Sequence, residues 1–113
     1  MGDGSKAVEE ILKCVKKAIK NKNCELLVYG TRRKNLESLA KIGLTIEDAY
    51  DEMKELTYKN YVSGPVTDRD YPASDQLWIF KKKIAEEMFY IKFKIVRLND
   101  NQLKVISFHI DEA

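Results

Sequence analysis

Phe89 to Leu98 is the clearest strand signal in the chain: Phe89, Ile91, Phe93 and Ile95 fall on one side, Tyr90, Lys92 and Lys94 on the other. Side chains of a β-strand point alternately to opposite faces, so this segment predicts a strand with one buried and one wet face. Asn99-Asp100-Asn101 follows as a hairpin turn, and Leu103 to His109 as a returning strand. Upstream, Leu77-Trp78-Ile79-Phe80 reads as another strand, closed by Lys81-Lys82-Lys83 as its turn. These segments predict an antiparallel meander with a polar, basic outer face.

The first half of the chain has a different period. Ala7, Val8, Ile11, Leu12, Val15, Ala18 and Ile19 recur at helical spacing, predicting a helix over 5–20 that starts at Ser5. Leu26 to Tyr29 fits a short strand closed by Gly30. A short helix is expected over 31–42, with Leu36, Leu39 and Ala40 inward and Gly43 as its stop. Thr45 opens a third helix, where Asp48 can complete a capping box. Its apolar stripe is Ile46, Ala49, Tyr50, Met53 and Leu56; Glu47, Asp51, Glu52 and Glu55 form its wet face. Tyr58 to Val62 alternates weakly as a strand, and the segment 63–74, with Gly64, Pro65, Pro72 and Asp68-Arg69-Asp70, reads as a loop. Helices followed by an antiparallel sheet define an α+β class. The expected organisation is one domain over 1–113, with 1–4 flexible.

Composition limits the function classes. With 44% hydrophobic and 34% charged residues in 113, the chain is neither disordered nor a coiled-coil rod. No apolar run approaches the roughly 18 residues of a membrane span, and the N-terminus has no secretion-signal pattern, so a cytoplasmic protein with no membrane partner is expected. Cys14 and Cys24 do not make a disulfide framework, which agrees with a reducing compartment. The net charge of +2 is a cancellation. Residues 1–44 carry a surplus of five positive charges, 45–75 a deficit of five, and 76–113 a surplus of two.

The scattered glycines make no phosphate loop. A single histidine and two cysteines argue against a transition-metal site, and no cofactor or metal is expected. What remains is basic and aromatic: Tyr90, Lys92, Lys94, Arg97, Lys104 and His109, with Lys81 to Lys83 nearby. RNA cleavage without metal needs a base for the 2′-hydroxyl, cations for the phosphorane-like transition state, and an acid for the leaving 5′-oxygen. These residue types can fill all three roles, and Tyr71 or Trp78 could stack splayed bases. The same pattern also describes a plain solvated face, with Trp78 in the core and His109 at a surface strand end.

The order of several short motifs resembles the MqsR family, the mRNA-cleaving toxins of toxin–antitoxin modules. They are Gly43-Leu44-Thr45-Ile46-Glu47-Asp48, Leu56-Thr57 with the aromatic-rich Tyr58 to Ser63, Trp78, Tyr90-Ile91-Lys92, and Val105-Ile106-Ser107-Phe108-His109. Arg32-Arg33-Lys34-Asn35-Leu36 and the loop from Ser63-Gly64-Pro65 to Asp70 resemble one branch of it. The resemblance implies a RelE-like fold, metal-independent cleavage of mRNA with or without the ribosome, and a cognate antitoxin. It also implies catalytic roles for Tyr90, Lys92 and His109. RNA contacts are expected from Lys94, Lys81, Arg69, Trp78 and Tyr71. Two positions depart from the family pattern: its lysine after the third helix falls on Ser63, and its glutamine after the strand tryptophan on Ile79. Lys81, Lys59 or Arg69 are the cations that could substitute. Histidine in place of the family's final lysine adds a group that can act as base or acid near neutrality. Two other readings stay open: a non-catalytic RNA- or ribosome-binding module of the same fold, and a protein-interaction module.

Overall fold

A computed structural model of the protein describes residues 2–72 and 75–112. Helix α1 (Gly2–Lys20) begins three residues before the expected start at Ser5 and buries Val8, Leu12, Val15 and Ala18. The flexible start expected over 1–4 rests in part on Met1, outside the described residues. Strand β1 (Cys24–Leu26) lies two residues earlier than the apolar run suggested. A single 3-10 turn, Gly30–Arg32, then leads into α2 (Arg33–Lys41).

The inward face of α2 differs from the expected one. Leu39 is buried, but Leu36 is 42% exposed and Ala40 is also exposed; the second buried position is Asn35. The short helix packs against the edge of a strand rather than into a hydrophobic cleft, and what that edge requires is hydrogen bonding. Helix α3 (Ile46–Lys54) carries the anticipated capping box: Thr45 Oγ1 accepts from Asp48 N at 3.1 Å, and Asp48 Oδ2 accepts from Thr45 N at 2.9 Å. Ala49, Tyr50, Met53 and Leu56 are buried behind it.

Tyr58 to Val62 is not one strand. Tyr58–Asn60 is a 3-10 turn, and β2 runs Tyr61–Val66, taking in the first residues of the expected loop. Gly64 (φ +124°) explains how the strand continues: a Cβ there would meet Leu77 O at 2.8 Å, so only glycine allows β2 to lie this close to its neighbour. Ala73 and Ser74, the end of that expected loop, lie outside the described residues. Strands β3 (Leu77–Ile84), β4 (Glu87–Val96) and β5 (Gln102–Ile110) complete the sheet.

The lysine triplet is part of β3, not a turn. The reversal falls on Ala85-Glu86, both at positive φ. Lys82 faces the helices, where its Nζ binds Glu52 Oε1 at 2.7 Å, Glu55 Oε1 at 2.9 Å and Glu52 O at 3.0 Å. Its stem covers apolar surface while the head reaches carboxylates on the supposed wet face of α3.

The strand order is β1-β5-β4-β3-β2. The meander β2 to β5 is antiparallel as expected, but β1 pairs parallel with β5, so the five-stranded sheet is mixed. The helices cover one face, burying Phe80, Phe89, Ile91, Phe93, Leu103, Val105 and Phe108 against Leu12, Val15, Leu39 and Met53. The fold is α+β. No helix among the described residues is long and apolar enough to cross a membrane.

Candidate functional site

The face opposite the helices takes its pattern from the β3–β4–β5 register. One row crosses the sheet as Lys81, Tyr90 and His109; the next as Ser63, Ile79, Lys92 and Ser107; Lys94 sits opposite Lys104 beyond it. Directly opposed side chains have Cβ atoms about 5 Å apart, so these rows are contact distances.

Tyr90 and His109 are both half-buried, and their rings lie 5.6 Å apart at an interplanar angle of 30°. His109 Nδ1 is 3.0 Å from Ile110 O. In the tautomer that donates to this carbonyl, Nε2 is left as an acceptor able to take a proton. The strand end carrying His109 is held: Ile110 N donates to Ser38 Oγ on α2 at 2.9 Å.

Lys92 occupies the centre of the face, half-buried. Loss of solvent, followed by repulsion from Arg32, holds its ammonium below the usual lysine range; Asp68 and Asp70 push the other way, and Lys34 adds to the lowering. The structure thus brings Tyr90, Lys92 and His109 together in two adjacent rows, with Lys94 and Lys104 continuing along the strands. Lys94 and Lys104 are like charges in direct opposition, an arrangement that costs stability, and Glu25 answers only Lys104, at 3.8 Å.

The other expected contacts fare differently. Lys81 is on this face opposite Tyr90, but its Nζ is paired with Asp111 Oδ2 at 2.7 Å. Arg69 and Tyr71 are exposed in the segment after β2, Tyr71 by 67%. Trp78 is not on the open face. It pairs with Phe93, is 8% exposed and packs against Tyr61 at 6.4 Å, so its ring belongs to the helix side. Trp78 lines a cavity of about 300 Å³ together with Ile11, Pro65, Ile95 and Arg97; Arg97 is not in a strand, because β4 ends at Val96, short of the expected Leu98, and Arg97–Asn99 is a 3-10 turn. Lys59 sits on the turn before β2, where its backbone N–H donates to Thr57 Oγ1 at 3.2 Å.

Residues that sequence reasoning missed hold this face in place. Asn35 Nδ2 donates to Leu27 O at 2.8 Å and Ile106 O at 3.1 Å, and its Oδ1 accepts from Phe108 N at 3.0 Å. Arg32 Nη1 donates to Ser107 Oγ at 3.2 Å. The sequence signals were an asparagine and a serine inside a helix, where both are poor formers, and the presence of Arg32, Asn35 and Ser107 in two of the motifs that carry the family resemblance, neither of which revealed what these side chains hold. A second group of perturbed side chains lies on the helix side. There burial, more than any neighbour, pushes both the Cys24 thiol and the Tyr50 hydroxyl up, which favours their protonated forms.

The structure is thus a small α+β domain whose open sheet face carries Lys92, Lys94 and Lys104 beside Tyr90 and His109. Residues 9–110, nearly the whole chain, match the family model described as motility quorum-sensing regulator, toxin of MqsA. The chain belongs to this MqsR toxin family and is the toxin of a toxin–antitoxin module, with an antitoxin as its partner. No curated protein and no solved structure matches it significantly.

Proposed function

We propose that this toxin is an endoribonuclease that cuts single-stranded mRNA in the cytoplasm without a metal ion, and that the antitoxin silences it. The observation that carries the reading is the contact between Tyr90 and His109, 5.6 Å between ring centroids, one row from Lys92. In the reaction, His109 Nε2 or Tyr90 takes the proton of a ribose 2′-hydroxyl. The 2′-oxygen forms a bond to phosphorus, the bond from phosphorus to the 5′-oxygen breaks, and the leaving oxygen receives a proton from the partner acid. Lys92 neutralises the charge that develops on the phosphoryl oxygens. Its lowered affinity for the proton also makes it a better acid than an ordinary lysine.

Purified protein is expected to cut single-stranded RNA in EDTA, leaving 2′,3′-cyclic phosphate and 5′-hydroxyl ends. His109→Ala and Tyr90→Phe should each slow cleavage by about 10²–10⁴-fold. If both variants cleave at the wild-type rate, the assignment fails. One observation favours a second reading, a binding module that kept the fold without the chemistry: Ile79, an apolar side chain, pairs directly with Lys92. That module would bind RNA with a steep salt dependence and release no product at any protein concentration.

A further inference from the structure

Arg32 has no role in the reaction written above, yet its side chain is hydrogen-bonded to the same row of the sheet as Lys92. It ends the turn leading into α2, and its guanidinium crosses to the sheet to donate to Ser107 Oγ at 3.2 Å. Ser107 is 1% exposed and stands directly opposite Lys92. The approach is fixed from behind, because Asn35 grips β5 on both sides of Ser107, at Ile106 O and Phe108 N. On the far flank of Lys92 the row continues as Ile79 and Ser63, so the second cation of this row enters from the α2 side.

A guanidinium offers five N–H donors in a planar fork, and Ser107 takes one. None of the ion pairs among the described residues involves Arg32. Its charge reaches Lys92, where it is the largest effect after burial in holding the ammonium below its usual range. Lys34 adds to that repulsion, and Asp68 and Asp70 offset part of it. Two cations held side by side by a hydrogen-bonded scaffold are relieved by an anion placed between them, and a forked donor suits a phosphate's paired oxygens.

We propose that Arg32 and Lys92 form a two-sided phosphate clamp for single-stranded RNA, with Ser107 and Asn35 as the positioning residues that aim the guanidinium. The clamp rests on reading the open face as an RNA-processing surface. It deepens that reading by naming the residue that grips the backbone.

The test measures binding and cleavage separately. Binding uses an all-2′-O-methyl oligoribonucleotide, which cannot be cut, titrated at several salt concentrations. Arg32→Gln keeps a donor near Ser107 but removes the charge, and should make the slope of log K against log salt shallower by about 0.7, one phosphate contact on a single strand. On cleavable RNA it should lower kcat/KM by about 10²-fold. Arg32→Lys should restore the slope but not the rate, since a point charge lacks the fork. Ser107→Ala should leave the slope unchanged and lower the rate less than Arg32→Gln does. A wild-type slope in Arg32→Gln overturns the clamp, whatever happens to the rate or to Tm. A wild-type protein that binds no RNA overturns it as well. A shallower slope in Arg32→Gln with no cleavage by the wild type sinks the nuclease reading and leaves the clamp standing.

Discussion

Asn35 is the residue on which the arrangement of β5 depends. β1 is too short to pair with the strand beyond Val105, and a bare strand edge would leave carbonyl and amide groups without partners. Asn35 and Ser38 supply those partners from α2, and in doing so fix Ser107 and His109 on the open face. Asn35→Ala should therefore cost about 2–4 kcal/mol, since it removes three hydrogen bonds from a fully buried position. Urea titration measures this, and a midpoint within error of the wild type would show that water replaces the side chain. At this scale the sequence was informative about Tyr90, Lys92 and Lys94, whose alternation assigns them a face without any tertiary information. Arg32 and Asn35 it marked only as part of a motif shared with the resembled family, and their contacts stayed hidden, because their partners lie 75 and between 8 and 73 positions away along the chain. Trp78 shows the opposite failure: its apolar neighbours identified a strand, but which face of that strand met the helices depended on register with Phe93.

Elements with a strong internal period were legible: α1, α3 with its capping box, and β4 with its hairpin to β5 stand close to where their residues put them. Apart from the inward face of α2 and the position of β1, the errors fell at turns. The β3–β4 reversal uses Ala85 (φ 51°) and Glu86 (φ 69°), neither of which advertises a left-handed conformation, while the conspicuous lysine run beside them is strand. Tertiary pairing imposes that turn. A two-residue hairpin with both φ values positive favours Asn-Gly, so replacing Ala85-Glu86 by Asn-Gly should stabilise the protein by about 1–2 kcal/mol without touching the open face. A rise in Tm with unchanged RNA cleavage is the expected result; a fall would mean that Glu86, whose carboxylate lies 3.5 Å from Lys83, contributes more than the backbone relief. Gly64 at the β2–β3 approach is the complementary case, a turn residue by composition that serves inside a strand because nothing larger fits.

Over the whole molecule, charge is segregated in the sequence and again in space. The acidic middle of the chain partly returns to neutralise the basic sheet: Glu52 and Glu55 take Lys82, and Asp68 and Asp70 act on Lys92. Burial of Lys92 and repulsion from Arg32 nevertheless disfavour its ammonium, which costs stability. Because its folded-state affinity for the proton is lowered, the unfolded chain binds more protons across the window between the folded and unfolded values. Stability contributed by this group therefore rises with pH through that window, and the penalty is fully present below it. Lys92→Met should raise Tm at neutral pH while abolishing RNA cleavage; a lower Tm would show that the lysine head is better solvated than its setting implies. By itself the sequence determined the α+β class, the helix and strand periods, and which side of β4 is basic, since all of these follow from local spacing and solvent preference. Only the tertiary structure decided that β1 runs parallel to β5, that Trp78 is core, and that Arg32 stands beside Lys92. The physical reason is that register and edge capping are set by groups far apart in the chain, whose meeting leaves no periodic trace in it.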